Sequence, residues 1–404
     1  MTLDVAEIRA AFPALAEGAA HFDGPGGSQT PLVVAQAVAG TMMAAVSNRG
    51  TVTAAERRAE TIVRDAREAM ADLVGGDPRG VVFGRSMTAL TYDLARTLAK
   101  DWASGDEVVV TSLDHDANIR PWVHAAARVG VVVRWAHFDP ATGELPVQAV
   151  AAELTDRTRL VAVTGASNLI GTRPDVAAIA ALAHDVGALV HVDGVHLAAH
   201  AAIDMVALGA DVLACSPYKF FGPHCGVQVA RPELLERLEP DKLVPSSDAV
   251  PERFEQGTLP YELLAGTTAA VDFIAGLDPA AAVTRRDSIL ASMQSIEEHE
   301  DALRADLERR LRDLDGLVLH SRAARRTPTL LFTVDGVEPA ALSRHLAAAG
   351  VNAPAGHFYA LEASRRLGLG DAGGVRAGLA PYTDAQDVDR LVEAVGDAVA
   401  TLRR

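Results

Sequence analysis

The feature that most constrains the fold is an alternation of helical and strand patterns through the middle of the 404-residue chain. Short apolar runs, each followed by a segment with helical spacing, recur from about residue 87 to residue 218; the runs are VVVT, VVVRWAHF, RLVAVTGAS, ALVHVDGVH and DVLACSPY. Strands that alternate with helices imply crossover connections, which predicts a mainly parallel sheet covered on both faces. In such sheets, ligands bind beyond the carboxyl ends of the strands.

The pattern changes after about Gly276. A long charged helix is predicted from residue 278 to residue 313, and shorter strands and helices are mixed beyond it. This change indicates a small α+β domain behind a large α/β domain, which suits a chain of this length. We therefore expect a large domain at residues 22–276 and a small domain built from residues 1–21 and 277–404. Within the large domain, a short helix is predicted near Met205–Leu208.

The composition limits the classes of partner. The formal net charge is -16 at pH 7, and a charge of that sign repels nucleic-acid phosphates and anionic membrane surfaces. The two cysteines, Cys215 and Cys225, cannot form a disulfide framework, which fits a reducing compartment. No secretory signal is recognised and no stretch is apolar enough to span a bilayer. We therefore expect a cytoplasmic protein that binds neither nucleic acid nor membranes.

Polar groups close four of the predicted strands. They are Ser112 to His115, Ser167 with Asn168, Asp193, and Ser216 to Lys219. Because the carboxyl ends of parallel strands meet at one edge of a sheet, these groups are expected to converge in space. The simpler alternative is that each residue only begins a loop. Four such ends in sequence order, carrying His, Asn, Asp and Lys, favour a binding site.

A lysine amine and a carboxylate at the bottom of one cleft suit a particular cofactor. A lysine amine forms a Schiff base with an aldehyde, and pyridoxal 5'-phosphate (PLP) supplies one. The cofactor's ring nitrogen needs a carboxylate to stay protonated, which is the role predicted for Asp193 beside Lys219. The released lysine amine could serve as general base for the substrate's α-proton. His115 is expected to stack on the ring or shuttle protons, and Asn168 to hydrogen-bond the ring hydroxyl or a substrate carboxylate.

Three further features have simpler explanations. His196 and His200 could present two imidazoles to a metal, but the pair encloses no glutamate and a third ligand is not evident, so no metal site is expected. Cys225 could act as a nucleophile, although packing in the core is the favoured interpretation. The segment GPGGSQ at Gly24 lacks the spacing of a phosphate loop and is predicted to form a turn near the substrate.

Several segments together resemble the class V aminotransferases, closest to the cysteine desulfurase branch: LDHDANIRPW, ASNLIGT, HVDGVH, SPYKFFGP, HFDGPGGSQTP, RFEQGT and VRAGLAPYTDAQDVDRL. The similarity runs over nearly the whole chain. It implies an aspartate-aminotransferase-like α/β fold (PLP fold type I), with a mainly parallel seven-stranded sheet in the large domain and a small α+β C-terminal domain. It also implies PLP as cofactor and a small amino acid as substrate.

The resemblance also implies roles for individual residues. Lys219, His115 and Asp193 would be the catalytic residues. Arg376 would bind the substrate carboxylate, a task that suits a bidentate guanidinium, and Asn168 would contribute to the same subsite.

The cofactor-binding residues that the resemblance implies are Met87, Thr88, His115, Asn168, Asp193, His196, Ser216, Tyr218, Lys219, Gly257 and Thr258. Met87 and Thr88 begin a helix, whose N-terminus favours phosphate. His196 stands where the desulfurases usually have a glutamine that contacts the ring hydroxyl. Gly257 and Thr258 would reach the phosphate of a partner subunit, which implies a homodimer with shared active sites.

The sequence departs from the desulfurases at their mobile loop. That loop corresponds to VNAPAGHFYALEA, with Tyr359 at the position of the sulfur-accepting cysteine and Pro354 at the neighbouring arginine position. No cysteine follows Cys225, so a persulfide relay on this loop is not available. His357 and Tyr359 are candidates to border the pocket, with packing as the alternative.

The leading functional hypothesis is a PLP-dependent lyase or transferase with a Lys219 Schiff base. It would cleave the C–S bond of a cysteine-type amino acid by β-elimination or desulfurase-like chemistry, without the usual loop cysteine. An aminotransferase or epimerase of class V type is the first alternative. A non-catalytic, PLP-binding regulatory protein is an alternative of another class.

Overall fold

A computed structural model of the chain describes residues 3–278 and 283–402. Its strands are β1 (Ala20–His21), β2 (Val81–Gly84), β3 (Glu107–Thr111), β4 (Val132–Ala136), β5 (Thr158–Thr164), β6 (Leu189–Asp193), β7 (Val212–Cys215), β8 (Gly226–Ala230), β9 (Leu317–Leu319), β10 (Thr329–Val334), β11 (Val351–Asn352), β12 (Ala355–Gly356) and β13 (Gly374–Gly378).

The α-helices begin and end at the following residues: α1 (Val5–Ala10), α2 (Leu32–Met43), α3 (Ala54–Val74), α4 (Met87–Leu98), α5 (Arg120–Val129), α6 (Val147–Ala151), α7 (Val176–Asp185), α8 (Pro232–Arg237), α9 (Tyr261–Ala275), α10 (Arg285–Arg312), α11 (Pro339–Ala348), α12 (Leu361–Arg366) and α13 (Ala385–Leu402). Two short 3-10 turns, Asp116–Asn118 and Pro217–Lys219, follow strand ends and are important for the site.

The central sheet has seven strands in the order β2-β8-β7-β6-β5-β3-β4. The strands from β7 to β4 pair in parallel, whereas β8 runs antiparallel to β7 and β2 runs antiparallel to β8. This arrangement confirms the predicted mainly parallel, seven-stranded sheet.

Both faces of this sheet are covered, as the continuous apolar strands indicate. In β3, Val109 packs into one hydrophobic cluster while Val108 and Val110 pack into another on the opposite face. Successive residues of a strand point to opposite faces, so a strand with no polar position must be buried on both.

A second, antiparallel sheet in the order β12-β13-β10-β9 lies in the C-terminal part of the chain. It shares a hydrophobic cluster with residues of α10, α11 and α13, and the short strand β1 pairs in parallel with β11. The start of the chain therefore contacts the C-terminal elements. The division into domains at residues 22–276 and at 1–21 with 277–404 stays a prediction.

Two local predictions differ from the structure. The segment near Met205–Leu208 forms a single hydrogen-bonded turn instead of a helix, because Gly209, with φ 67°, ends it after one turn. The Asp204 carboxylate caps the start of this turn by accepting from the Val206 and Ala207 N–H groups. The long helix α10 begins at Arg285, after the N-cap Thr284, and not at residue 278. Residues 279–282 of the predicted helix lie outside the described residues.

Within residues 3–278 and 283–402, no helix combines the length and the apolar character that a membrane crossing requires.

Candidate active site

A cavity of about 640 Å³ opens beyond the carboxyl ends of the parallel strands. Ten of the predicted site residues line it: Met87, Thr88, His115, Asn168, Asp193, His196, Ser216, Tyr218, Lys219 and Arg376. Four predicted strand ends thus meet at one site, as the topology of a parallel sheet requires. The predicted turn at Gly24 also borders the cavity, through Pro25 and Gly26.

The backbone register brings Asp193 and Lys219 together. Asp193 is the last residue of β6 and pairs with Ala214 of the neighbouring strand β7. Lys219 follows β7 within the 3-10 turn Pro217–Lys219, so it leaves the same edge of the sheet. Adjacent parallel strands therefore place an amine and a carboxylate in one cavity.

Lys219 is held against the N-terminal turn. Its Nζ donates to the carbonyl oxygens of Pro25, at 2.5 Å, and Gly26, at 3.0 Å. Burial lowers the pKa of Lys219 to about 7; the charge of Arg376 acts in the same direction, and Asp193 opposes both. A large share of the amine is therefore neutral near pH 7, which is the form that attacks an aldehyde.

Two buried carboxyl groups lie near the strand ends. Burial raises the pKa of Asp193 to about 6, against the effects of a hydrogen bond from the Val195 N–H and of the charge on Lys219. Burial raises the pKa of Asp114 to about 8, although Thr111 and Asn118 donate hydrogen bonds to it. Asp114 is therefore largely protonated at neutral pH, and the charge that faces the cavity is that of Asp193.

His115 caps the 3-10 turn that follows β3. Its Nδ1 accepts a hydrogen bond from the Ala117 N–H at 3.0 Å, which places the ring proton on Nε2. Burial, together with the charges of Lys219 and Arg376, lowers the pKa of His115 to about 4. The ring is therefore a neutral, planar wall of the cavity.

The N-terminus of α4 offers a cradle for an anion. Ser86 caps the helix, and its Oγ accepts from the Ala89 N–H at 3.1 Å. The first helical residues, Met87 and Thr88, line the cavity, where free N–H groups and the helix dipole favour phosphate. The helix start lies directly against Gly226, where a Cβ atom would lie 2.1 Å from the Ser86 carbonyl carbon.

His196 packs between the cavity and the second sheet. Its Nε2 lies 3.0 Å from the hydroxyls of both Thr327 and Thr329, which leaves Nδ1 as the nitrogen available to a ligand. Burial lowers the pKa of His196 well below its usual value. His200, its neighbour on the same turn, pairs instead with Glu300 at 2.9 Å. Both imidazoles therefore have protein partners of their own.

Arg376, in β13, is a buried cation that forms no ion pair with the described residues, although the charge of Asp23 acts on it from beyond salt-bridge distance. It is 2% exposed, and no carboxylate of the described residues lies within salt-bridge distance of it. Its Nη1 donates to the Asn168 carbonyl at 2.9 Å, and its Nε has no partner among those residues. Burial lowers its pKa to about 9. An unpaired buried charge is costly, so this guanidinium is suited to an anionic ligand.

Several predicted residues do not join the cavity. Gly257 and Thr258 are exposed and lie outside it, and Gly257 has a φ of 77° with open space around it. Cys225 is buried with its Sγ 3.5 Å from Thr267 Oγ1, and burial raises its pKa to about 11. Cys215 is fully buried within β7. Neither thiol is placed as a nucleophile for the cavity.

The cavity also has lining residues to which the sequence analysis gave no role. Tyr92 and His124 form a hydrogen-bonded pair at 3.1 Å, and Arg120 forms ion pairs with Asp116 and with Glu362. Asp116 and Arg120 fall within the motif LDHDANIRPW, so the motif itself was a signal for them. Tyr92 lies one helical turn after Thr88, which is a weaker signal.

Phe358 and Tyr359, of the loop before α12, complete the cavity wall. The centroid of the Phe358 ring lies 3.7 Å from the Arg376 Cζ. The ring centroids of Tyr359 and His115 lie 5.5 Å apart. His357 does not line the cavity. No strand-end pattern points to Phe358, because it follows the short strand β12 of the second sheet and not a strand of the central sheet.

The comparisons with known proteins agree with this geometry. The family description Aminotransferase class-V matches residues 20–391. An uncharacterised protein of Mycobacterium tuberculosis, MT3887, is 36% identical, covering 98% of this chain and 99% of that protein. A probable cysteine desulfurase of Pseudomonas aeruginosa is 32% identical over 98% of each. The cysteine desulfurase CsdA of Escherichia coli, solved in an S-sulfonic acid form, has a TM-score of 0.87, 27% identity and 99% coverage of both chains.

The chain therefore belongs to the class V aminotransferase family. Members of this family are PLP-dependent enzymes of fold type I, and this chain is one as well. The predicted family, fold class and cofactor are confirmed. The cavity fits the cofactor on its own residues, since it combines a neutral amine, a buried carboxylate and a helix N-terminus whose close packing only glycine at position 226 permits.

Proposed function

We propose that this enzyme cleaves the C–S bond of a cysteine-type amino acid by β-elimination and releases the sulfur in a small-molecule product. The observation that carries the amino-acid part is Arg376, a buried guanidinium that forms no ion pair with a carboxylate of the described residues. Such a cation binds a substrate carboxylate through charge-assisted hydrogen bonds. The names of relatives, such as the probable cysteine desulfurase of Pseudomonas aeruginosa, support sulfur chemistry.

The side chains of the cavity divide the work. Arg376 would bind the α-carboxylate. Asn168, whose backbone carbonyl contacts Arg376, would accept a further hydrogen bond at its unpartnered Oδ1. Lys219 would hold the cofactor and, once its Nζ is released, would take the α-proton. Asp193 would keep a proton on the pyridine nitrogen, and His115 would cover one face of the ring. When bound, PLP supplies the sink for the electrons of the α-carbon.

The remaining predicted residues would hold the cofactor in place. Met87, Thr88 and Ser216 would receive the phosphate at the start of α4. Tyr218 forms part of the same wall, with its ring stacked on His224 at 4.7 Å. His196 would offer Nδ1 to the ring hydroxyl, because Nε2 is occupied by two threonines.

The position of the cysteines supports release of the sulfur over transfer to the protein. Cys215 and Cys225 are the only cysteines of the chain, and both are buried outside the cavity. For L-cysteine, the C–S electron pair leaves with the sulfur, and the balanced overall reaction is cysteine plus water to pyruvate, ammonia and hydrogen sulfide. Lys219 would accept the α-proton in this reaction.

The first test concerns the lysine. Borohydride reduction of the purified yellow protein should fix the cofactor on Lys219, which mass spectrometry of peptides can locate. The only other lysines of the chain, Lys100 and Lys242, pair with exposed aspartates outside the cavity. The variant K219A should lose the reduced adduct, and K242A should retain it. An adduct that persists in K219A would contradict the assignment.

The second test concerns the reaction. The PLP-loaded enzyme should form sulfide and pyruvate from L-cysteine in equal amounts. Alanine formed together with a protein persulfide would instead indicate desulfurase chemistry. Exchange of the amino group with a keto acid would indicate an aminotransferase, and racemised substrate an epimerase. The absence of any spectral response to amino acids would favour the regulatory alternative.

We also propose a homodimer in which Gly257 and Thr258 reach the partner's cofactor phosphate. Both residues are exposed in the single chain, and large apolar side chains are exposed on α2 and nearby, at Met42, Met43 and Val52. Contiguous apolar exposure often marks an interface.

Mixed dimers can test the shared site. In a mixed dimer, one subunit carries K219A and the other carries T258D. If the sites are shared, one of the two sites then has both an intact Lys219 and an intact Thr258, so co-expression should restore one complete site per mixed dimer. In the mixed dimer, separated from the two parental dimers, cofactor binding should then return to about half of the wild-type content. If K219A with T258D binds no more cofactor than T258D alone, sharing is wrong.

A further inference from the structure

Three residues from distant parts of the chain form a closed cycle of contacts at one end of the cavity. The Asn168 Nδ2 donates to the Phe358 carbonyl at 2.9 Å, and the Arg376 Nη1 donates to the Asn168 carbonyl at 2.9 Å. The cycle closes where the Arg376 Cζ lies 3.7 Å from the centroid of the Phe358 ring. Each of the three residues lines the cavity.

The backbone of this loop is strained. Phe358 has a φ of 50° and Tyr359 a φ of 60°, and two successive non-glycine residues in the left-handed region are uncommon. The loop is tied to the central sheet at both residues, because the Asp116 N–H donates to the Tyr359 carbonyl at 2.8 Å while Asn168 holds the Phe358 carbonyl. Strain of this kind persists where surrounding contacts over-determine it, and it occurs often at functional sites.

The ring of Phe358 contacts Arg376, a buried cation that forms no ion pair with the described residues and feels the charge of Asp23 only from a longer distance. An aromatic face attracts a cation, and the attraction is larger when the cation is removed from water. One guanidinium face is therefore covered by Phe358 and one edge is held by the Asn168 carbonyl. The Nε of Arg376 still has no partner among the residues that the structure describes, so donor capacity remains.

We infer that Phe358 is a positioning residue that fixes the Arg376 guanidinium for the α-carboxylate of an amino-acid substrate. The segment from residue 356 to residue 360 is then a fixed wall of the site, with its strained backbone delivering the aromatic ring to the cation. This inference rests on the proposed function, because it takes Arg376 to be the carboxylate receptor. Phe358 acts through Arg376 and does not touch the reacting atoms.

The test compares a carboxylate with its amide. L-Alanine and L-alaninamide are suitable probes, since they differ in the carboxylate alone and carry neither a sulfur leaving group nor a thiol that could react with the cofactor. Their dissociation constants can be measured from the visible absorbance change of the PLP-loaded protein. The wild type should bind the acid at least about tenfold more tightly than the amide.

The variant F358L removes the aromatic face and keeps an apolar side chain. We expect the dissociation constant of the acid to rise roughly tenfold, as loss of a desolvated cation–π contact implies, with less than about a twofold change for the amide. F358W should restore the preference for the acid. F358M serves the same purpose as F358L if the latter folds poorly, as judged by cofactor content and melting temperature.

The matched control is F254L. Phe254 also lies near an arginine, with the Arg253 Cζ 5.8 Å from its ring centroid, but it lies outside the cavity. This variant should leave the preference for the acid unchanged.

The outcomes separate the two ideas. If the wild type prefers the acid and F358L and F358M do so equally, the role of Phe358 is wrong while Arg376 keeps its role. If the wild type does not distinguish acid from amide, the carboxylate role of Arg376 in the proposed function fails, and the inference fails with it.

Discussion

Two buried arginines of this enzyme have opposite surroundings. Arg67, in α3, is 8% exposed and forms ion pairs with Glu252 and Glu255, each at 2.7 Å. Arg376, in β13, is 2% exposed and contacts a carbonyl oxygen and an aromatic ring, with no carboxylate partner in the described chain. The first charge is neutralised by the fold, and the second remains available.

The difference shows how the molecule separates stability from function. A buried ion pair contributes to the folded state only as a complete unit, because removal of one partner leaves an isolated charge. A buried cation without a partner costs stability in the free protein, and the cost is recovered when an anion binds. The predictions below test this contrast between the Arg67 network and the Arg376 site, in order of decreasing effect.

The largest effect is expected for R67M. This change leaves Glu255, which is 4% exposed at its side chain, without its partner, and should lower the free energy of unfolding by about 3–5 kcal/mol. Thermal or urea unfolding of the PLP-loaded protein measures it. R64M on the same helix removes an exposed pair with Asp65 and should change the stability by about 0.5 kcal/mol or less. Equal losses of unfolding free energy in R67M and R64M would contradict the idea that the buried ion pairs of Arg67 contribute more than an exposed pair.

R376M should separate binding from stability. Amino-acid binding should weaken by about 2–5 kcal/mol, because the substrate carboxylate loses its buried partner. The free energy of unfolding should not fall, since the variant removes a desolvated cation that has no ion-pair partner and only the more distant charge of Asp23 to compensate it. The same absorbance titration and unfolding experiments measure both. A loss of stability similar to that of R67M would show that Arg376 is part of an ion pair in the native protein.

The pH dependence of cofactor loading should report the charge on Arg376. With a Lys219 pKa of about 7, the neutral amine and the loading rate should rise roughly tenfold from pH 6 to pH 8 and then level off. In R376M the midpoint should move to higher pH, because the charge of Arg376 is one of the causes that lower this pKa. An unchanged midpoint in R376M would contradict the electrostatic contact, and a rate that still increases steeply above pH 9 would contradict the lowered pKa.

The smallest effect is expected for E252Q. Arg67 keeps its pair with the more deeply buried Glu255, and Arg49 keeps its pair with Glu60, so the loss should be about 1 kcal/mol or less. The free energy of unfolding of E252Q can be compared with that of E255Q, which should lose clearly more stability. A larger loss of stability in E252Q than in E255Q would show that Glu252, and not the more deeply buried Glu255, contributes most to the stability of the Arg67 network.

The sequence alone predicted the central sheet and most of the cavity for one physical reason. The carboxyl ends of parallel strands share an edge, so polar residues that follow successive apolar runs must meet there. This strand-end pattern identifies four residues of the cavity, which are His115, Asn168, Asp193 and Lys219. Local structure was predicted less well near Met205–Leu208, where Gly209 adopts a left-handed backbone conformation and ends the helical turn that Asp204 caps.

Other features needed the tertiary structure. The helix from Met87 was predicted from its apolar spacing and the phosphate-binding role of Met87 and Thr88 was implied by the resemblance, but the close approach of this helix start to Gly226 depends on the antiparallel strand β8. Gly257 and Thr258 lie outside the cavity of one chain, so their role stays a prediction about a second subunit. Burial also decided the charge states, because the pKa values of Lys219 and Asp193 shift through desolvation that no sequence pattern records.

The sequence by itself therefore determined the fold type, the family and the strand-end residues, since these follow from periodicity and from the order of local motifs. Only the tertiary structure showed that Phe358, Asn168 and Arg376 form one cycle, and that the buried Arg376 forms no ion pair with the described residues while Arg67 forms two. Hydrogen bonds from a side chain to a backbone carbonyl 190 or 208 positions away depend on how distant segments of the chain pack together. Packing is a property of the whole chain, and no local pattern encodes it.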